Sequence, residues 1–340
     1  MQTIIETEEK PLGVIESLQQ GFNFLNHYLW LIIIPVFLDF FLWLGPRLSI
    51  SSLINQLIEA IPPQPEMPSE LVANFDTAIE SLKSLGAGYN LFSLLAGLLT
   101  GLPSIFTRLD FQTELANSAS VIELTSWQSA LLWSAALIPL GVLIGSFWLA
   151  HIVSVMQRER PFSQLFLKRW GWIWLNINLY LIILFLGILF FSLFFGLIGA
   201  FFLTFFGAAG AALFSILWLL FIGFSIWLSI GLYFVVYAVA SDGVNLVSAI
   251  WRSLNVVGRN AMSTLGFLIL TLLLIEGFSR IWLALGHHVW GVVLSVCGNA
   301  YLGTAIVAAA IFFYQSRYQQ WQKTRSLVIL SQQSDSNNKT

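Results

Sequence analysis

Residues 170–240 read WGWIWLNINLYLIILFLGILFFSLFFGLIGAFFLTFFGAAGAALFSILWLLFIGFSIWLSIGLYFVVYAVA, without a single Asp, Glu, Lys, Arg or His. A water-soluble domain must cover most of its surface with polar side chains, so a stretch this long and this apolar has hydrocarbon as its solvent. It is also too long for one crossing, which takes about 20 helical residues. Two spans, 170–195 and 212–240, joined by a Gly/Ala-rich connector at 196–211, account for it. A rival division into three spans of about 20 residues puts the loop holding Arg252 and Arg259 on the opposite side from Arg158 to Arg169.

Four more apolar segments flank this run. The first, 26–46, closes on Gly45-Pro46, a pair that does not continue a helix. The others are 129–151, 262–285 and 289–314. The expectation is therefore an all-α, polytopic transmembrane helical bundle of about six spans. Composition agrees: 57% of the 340 residues are hydrophobic, 9% are charged and the mean hydropathy is +0.81. No separate soluble catalytic domain fits beside the spans. The single cysteine, Cys297, excludes an internal disulfide. The N-terminal segment 1–25 is acidic and polar, unlike the basic start of a signal peptide.

Lys and Arg set the orientation. With both termini inside, eleven (Lys10, Arg158, Arg160, Lys168, Arg169, Arg252, Arg259, Arg317, Lys323, Arg325 and Lys339) lie on the inner side, and only Arg47, Lys83 and Arg108 lie outside. This positive-inside bias predicts a bacterial plasma membrane protein with cytoplasmic termini and a cytoplasmic tail, 315–340, disordered at its end. The extracytoplasmic region 47–128 is acidic. Its Pro-rich stretch Pro62-Pro63-Gln64-Pro65-Glu66-Met67-Pro68 separates two helix candidates, 52–60 and 69–85, and the apolar stretch 91–106, broken by Gly97, Gly101 and Pro103, reads as interfacial or re-entrant.

Between the fourth and fifth spans, Val247, Ile250, Trp251, Leu254 and Val257 recur at helical spacing opposite Asn245, Ser248, Arg252, Asn255 and Arg259. This predicts an interfacial helix whose Trp251, Arg252 and Arg259 meet lipid headgroups. Tyr237, Ala238, Ala249, Arg252, Ser253 and Val257 form a pattern of about 35 residues that resembles polytopic bacterial membrane proteins related to the membrane domain of glycerophosphodiester phosphodiesterases. The resemblance implies a helical membrane fold. The enzyme's catalytic domain has no counterpart after the spans, so phosphodiesterase activity does not carry over. The opening span, with Pro35, Asp39 and Gly45-Pro46, looks like the start of other bacterial membrane proteins of no assigned activity.

Ionisable groups inside predicted spans are costly and need a partner or water. From the outer ends of their spans, Asp39 lies about 10 Å deep, Arg280 about 9 Å, and Glu276 and Asn299 about 15 Å, so the four are candidates for one polar cluster. Arg280 would neutralise Asp39 or Glu276 as a structural tie. Alternatively, the acid left over would serve as a proton or substrate site. His287-His288 lacks further ligands, and His27 and His151 sit at span ends as interface anchors. Asn176 and Asn178 are candidates for hydrogen bonds across helices. Gly207, Gly210 and Ala211 suit a tight turn rather than a phosphate loop. No catalytic set, metal site, cofactor motif or nucleic-acid-binding feature is present in the sequence. The reading favours a non-enzymatic scaffold or accessory subunit in contact with the lipid bilayer and with a membrane-protein partner or a second copy of itself. A small transporter or permease component and a lipid-handling membrane enzyme are the alternatives.

Overall fold

A computed structural model describes residues 11–61, 69–109, 120–160 and 163–337. The Pro62 to Pro68 break, the acidic residues before Pro11, and Asp110 and Glu114 lie outside them. The protein is all-α, with helices α1 (Val14–His27), α2 (Ile33–Leu44), α3 (Ser51–Glu59), α4 (Ser69–Gly88), α5 (Trp127–Met156), α6 (Gln164–Gly231), α7 (Val235–Asp242), α8 (Leu246–Arg259), α9 (Ala261–Leu285) and α10 (Val289–Asn337). The region expected to be helical between the first two spans also holds two three-residue strands, β1 (Arg47–Ser49) and β2 (Val121–Glu123). They pair in parallel, Arg47 opposite Val121 and Ser49 opposite Glu123.

Long and apolar enough to cross a membrane are α5, the helix from Gln164 to Asp242, α9 and the Val289–Ser326 part of α10, with the broken pair α1 and Leu29–Leu44 as a fifth candidate. The Gln164–Asp242 helix folds back on itself. At Gly207 the backbone takes φ 55° and ψ −131°, a conformation that a Cβ strains. Phe195 then stacks on Phe221 at 4.2 Å between ring centroids, Phe191 reaches the same ring at 5.4 Å, and Phe214 covers Gly199. These contacts pair residues on either side of Gly207 in mirror order, so α6 is a hairpin of two antiparallel arms, 164–206 and 208–231. Each arm is long enough for one crossing, and the sequence predicts two over this stretch. The connector expected over 196–211 is helical on both sides of that one glycine.

The chain divides into two compact units. The first comprises Met1–Tyr28, Ala150–Leu273 and Ala305–Thr340. Its core is built from the base of α6 (Phe166, Ile173, Asn176, Ile177, Tyr180), nearly all of α7, and Phe313 and Tyr314 of α10. Part of the N-terminal segment is a packed helix. Ser17, Leu18, Gly21 and Leu25 share one face of α1, and Gly21 lets that face approach Ala305 and Ala309 of α10 closely. Arg317 Nη1 donates to Leu12 O at 2.9 Å, closing the same contact. The expected tail continues α10 unbroken to Asn337.

The second unit comprises Leu29–Leu149 and Leu274–Thr304. Trp43, Ile105, Val292 and Val296 form a core cluster in it, and Trp148 Nε1 donates to Leu31 O at 3.0 Å. The expected interfacial or re-entrant stretch begins as a single 3-10 segment, Leu91–Ala96, whose cap Asn90 accepts from Phe92 N. The segment then winds irregularly through Gly97, Leu99 and Gly101, all at positive φ. Non-helical backbone survives among membrane helices only where protein or water satisfies it. Here Gly141 and Gly145 of α5 leave no side chain in the way, so Leu94 and Thr100 press directly on that helix, and Thr100 Oγ1 donates to Gly97 O at 2.7 Å.

Candidate functional site

Asp39 projects from α2 with no exposed surface and accepts three hydrogen bonds from one distant turn. Ser104 Oγ donates to Oδ1 at 2.5 Å, and Ile105 N lies 3.2 Å from Oδ1 and 3.0 Å from Oδ2. The carboxylate thus caps the turn in which Arg108 N and Leu109 N donate back to Ile105 O. The other members of the expected polar cluster make different contacts. Glu276 faces Arg108 across 3.9 Å, and the two side chains are 63% and 53% exposed. Arg280 is exposed on α9 and Asn299 half-buried on α10. Among the described residues no hydrogen bond or ion pair joins Asp39 to Glu276, Arg280 or Asn299.

At the arginine-rich end, the first unit holds a denser constellation. Asp242 Oδ2 accepts Arg252 Nη1 at 2.5 Å and the Tyr314 hydroxyl at 2.7 Å, and the Arg252 guanidinium lies 4.5 Å from the Tyr318 ring centre. Burial pulls the Arg252 guanidinium down, but the hydrogen bond and charge of Asp242 outweigh it and hold its pKa above the ordinary value. Arg252 is therefore engaged within the protein, while Trp251 and Arg259, its companions in the expected headgroup contact, are exposed. Arg259 stands 5.8 Å from the Trp321 ring centre and Arg325 stands 5.7 Å from the same ring.

Helix α8 carries three stripes rather than two. Leu246, Ala249, Ser253, Val256 and Val257 are buried. Val247 and Trp251 face outward at 77% and 64% exposure, and Arg252, Asn255 and Arg259 form the polar edge. The buried stripe is set by Ser253, which bridges the break between α6 and α7. Its hydroxyl donates to Gly231 O at 2.6 Å and accepts from Phe234 N at 3.1 Å, satisfying backbone groups that the break leaves open. Asn176 works similarly, accepting from Leu246 N at 2.9 Å while donating to Trp172 O. Nearby, Glu159 and Arg169 pair at 2.7 Å.

No family model matches the chain, and no curated protein or solved structure matches it either. Function has to be read from the geometry alone. Among the described residues no three His, Cys, Asp or Glu side chains gather as metal ligands would. In the sequence Ser253 stood only within the family resemblance, Arg325 only in the count of inner cations, and Trp321 was not singled out. For the last two a signal existed: an indole beside Lys323 and Arg325 just past an apolar helix has the composition of an interface anchor.

Proposed function

We propose that this chain is a non-enzymatic scaffold or accessory subunit of a bacterial plasma membrane, and that the hairpin α6 is the surface it offers to another membrane protein. One observation carries the reading. Of the most apolar window of the Gln164–Asp242 helix, 6% is buried inside the chain, against 61% for α5 and 67% for α10. The arm 164–206 is about 64 Å long at about 1.5 Å per residue, roughly twice the hydrocarbon thickness, so lipid tails cover only part of it when it stands upright. The outward face of the hairpin is aromatic: Phe185, Phe190 and Phe205 of this arm and Trp218 and Trp227 of the other are all exposed. Such rings anchor contacts between proteins.

The transport reading has less support, because of the two acids it would use Asp39 is buried and bonded to Ser104 and Ile105, and Glu276 faces Arg108. The eleven-to-three distribution of Lys and Arg supports cytoplasmic termini. Photo-crosslinking residues placed at Leu197 and Phe205, in membranes of the source cells, test the proposal. The expected products are protein adducts of discrete mass at both positions. Adducts to lipid alone would overturn it. Cysteine labelling at Glu70 and Lys323 in a Cys297→Ser background tests the orientation, with Glu70 expected to react from outside the cell and Lys323 from within.

A further inference from the structure

The convergence of Arg259 and Arg325 on Trp321 has no role in the hairpin contact. Two helices distant in sequence, α8 and α10, each bring an exposed guanidinium within 6 Å of one indole. Sharing one ring, the two guanidinium groups stand no more than about 12 Å apart, and an anion bound between them offsets their repulsion. Among the described residues no carboxylate pairs with either arginine, whereas the neighbouring Arg252 is already neutralised by Asp242. The same helix α8 turns Val247 and Trp251 outward beside its polar edge, an apolar surface suited to the acyl boundary. The indole is at home at headgroup depth, and each guanidinium presents donors in the fork geometry that phosphate oxygens accept.

We propose that Arg259, Trp321 and Arg325 form a binding site for the phosphodiester of an anionic phospholipid, with Val247 and Trp251 seated against its acyl chains. The arginines grip the phosphate oxygens, the indole orients both guanidinium groups, and the outward stripe of α8 supplies the preference for a lipid over a free phosphoester. Arg252 stays out of the site, held by Asp242.

The test uses the full chain purified in detergent, with native mass spectrometry of mixtures of phosphatidylglycerol and phosphatidylcholine. The wild type is expected to retain phosphatidylglycerol preferentially. The double variant R259Q/R325Q should lose about thirtyfold of that preference, the effect of two arginines near a headgroup. R259K/R325K keeps the charge and should retain most of it, and R252Q should leave the preference unchanged. Where the double Gln variant does not purify as a single species, R325Q alone, at an exposed position, is expected to show about half the loss on a logarithmic scale. Equal preference in the wild type and the Gln variants would overturn the site. Competition by glycerophosphoglycerol as strong as that by the intact lipid would overturn the lipid as its occupant and assign the site to a soluble phosphoester.

Discussion

The Ser104 hydroxyl donates to Asp39 Oδ1 although the two residues are 65 positions apart in the chain. The bond fastens an irregular turn to a membrane helix, and its loss should be felt as instability. Asp39→Asn keeps an acceptor for Ser104 and Ile105 and should cost about 1 kcal/mol, whereas Asp39→Leu strands both buried donors and should cost about 3 kcal/mol or more. Denaturant unfolding in detergent measures both. Equal stability of the two variants would show that the carboxylate is not a structural cap.

Ser253→Ala removes one donor and one acceptor from the break between α6 and α7. With Gly231 O and Phe234 N then unpartnered in a buried site, the expected cost is about 2 kcal/mol. The loss should be local. Hydrogen exchange at Leu232 to Val236 should accelerate before exchange in α5 changes, and uniform acceleration would argue against the bridging role.

Gly207 gives a sharper test of the hairpin. Its φ of 55° with ψ of −131° lies outside the left-handed helical region that Asn tolerates, so Gly207→Asn should be no better than Gly207→Ala. Each should cost about 1–3 kcal/mol. Cysteines placed at Phe195 and Phe221 in a Cys297→Ser background should be joined by a short bis-thiol reagent with Gly207 present and much less efficiently in either variant. Unchanged joining would mean that the chain reverses elsewhere.

These sites differ in how far they could be read from sequence, and the reason is physical. An uncharged run of 71 residues states its solvent whatever the tertiary structure, so the helical membrane fold was legible in 170–240. Gly207 fell inside the expected connector, but glycine marks a turn without saying how much of its surroundings stays helical. The partner of Asp39 was not legible, because Ser104 and the amide of Ile105 bear no charge and depth arguments rank charged candidates first. Glu276 was grouped with Arg280 by depth, while Arg108, from an irregular segment with no periodicity, is the cation it faces. The outward and buried stripes of α8 are both apolar, and a single amphipathic pattern cannot separate them.

The ion pair of Arg252 and Asp242 yields the last prediction. Its side chains are 23% and 18% exposed, and the guanidinium also stacks on Tyr318. Lysine would keep the charge but lose the planar face, so Arg252→Lys should destabilise the first unit by about 1 kcal/mol, and Arg252→Gln by more, because Asp242 would then keep the Tyr314 and Ser241 hydroxyls but lose its cation. The pH dependence follows from the direction of the shift. A cation whose pKa rises on folding contributes in full below its unfolded value and loses that contribution only as pH climbs through the folded one. Both values lie in strong alkali for arginine, so the difference in stability between wild type and Arg252→Gln should not fall between about pH 7 and about pH 10. Thermal melts of both proteins across that window measure it, and a difference that shrinks steadily toward pH 10 would show that Arg252 is not the group that holds Asp242.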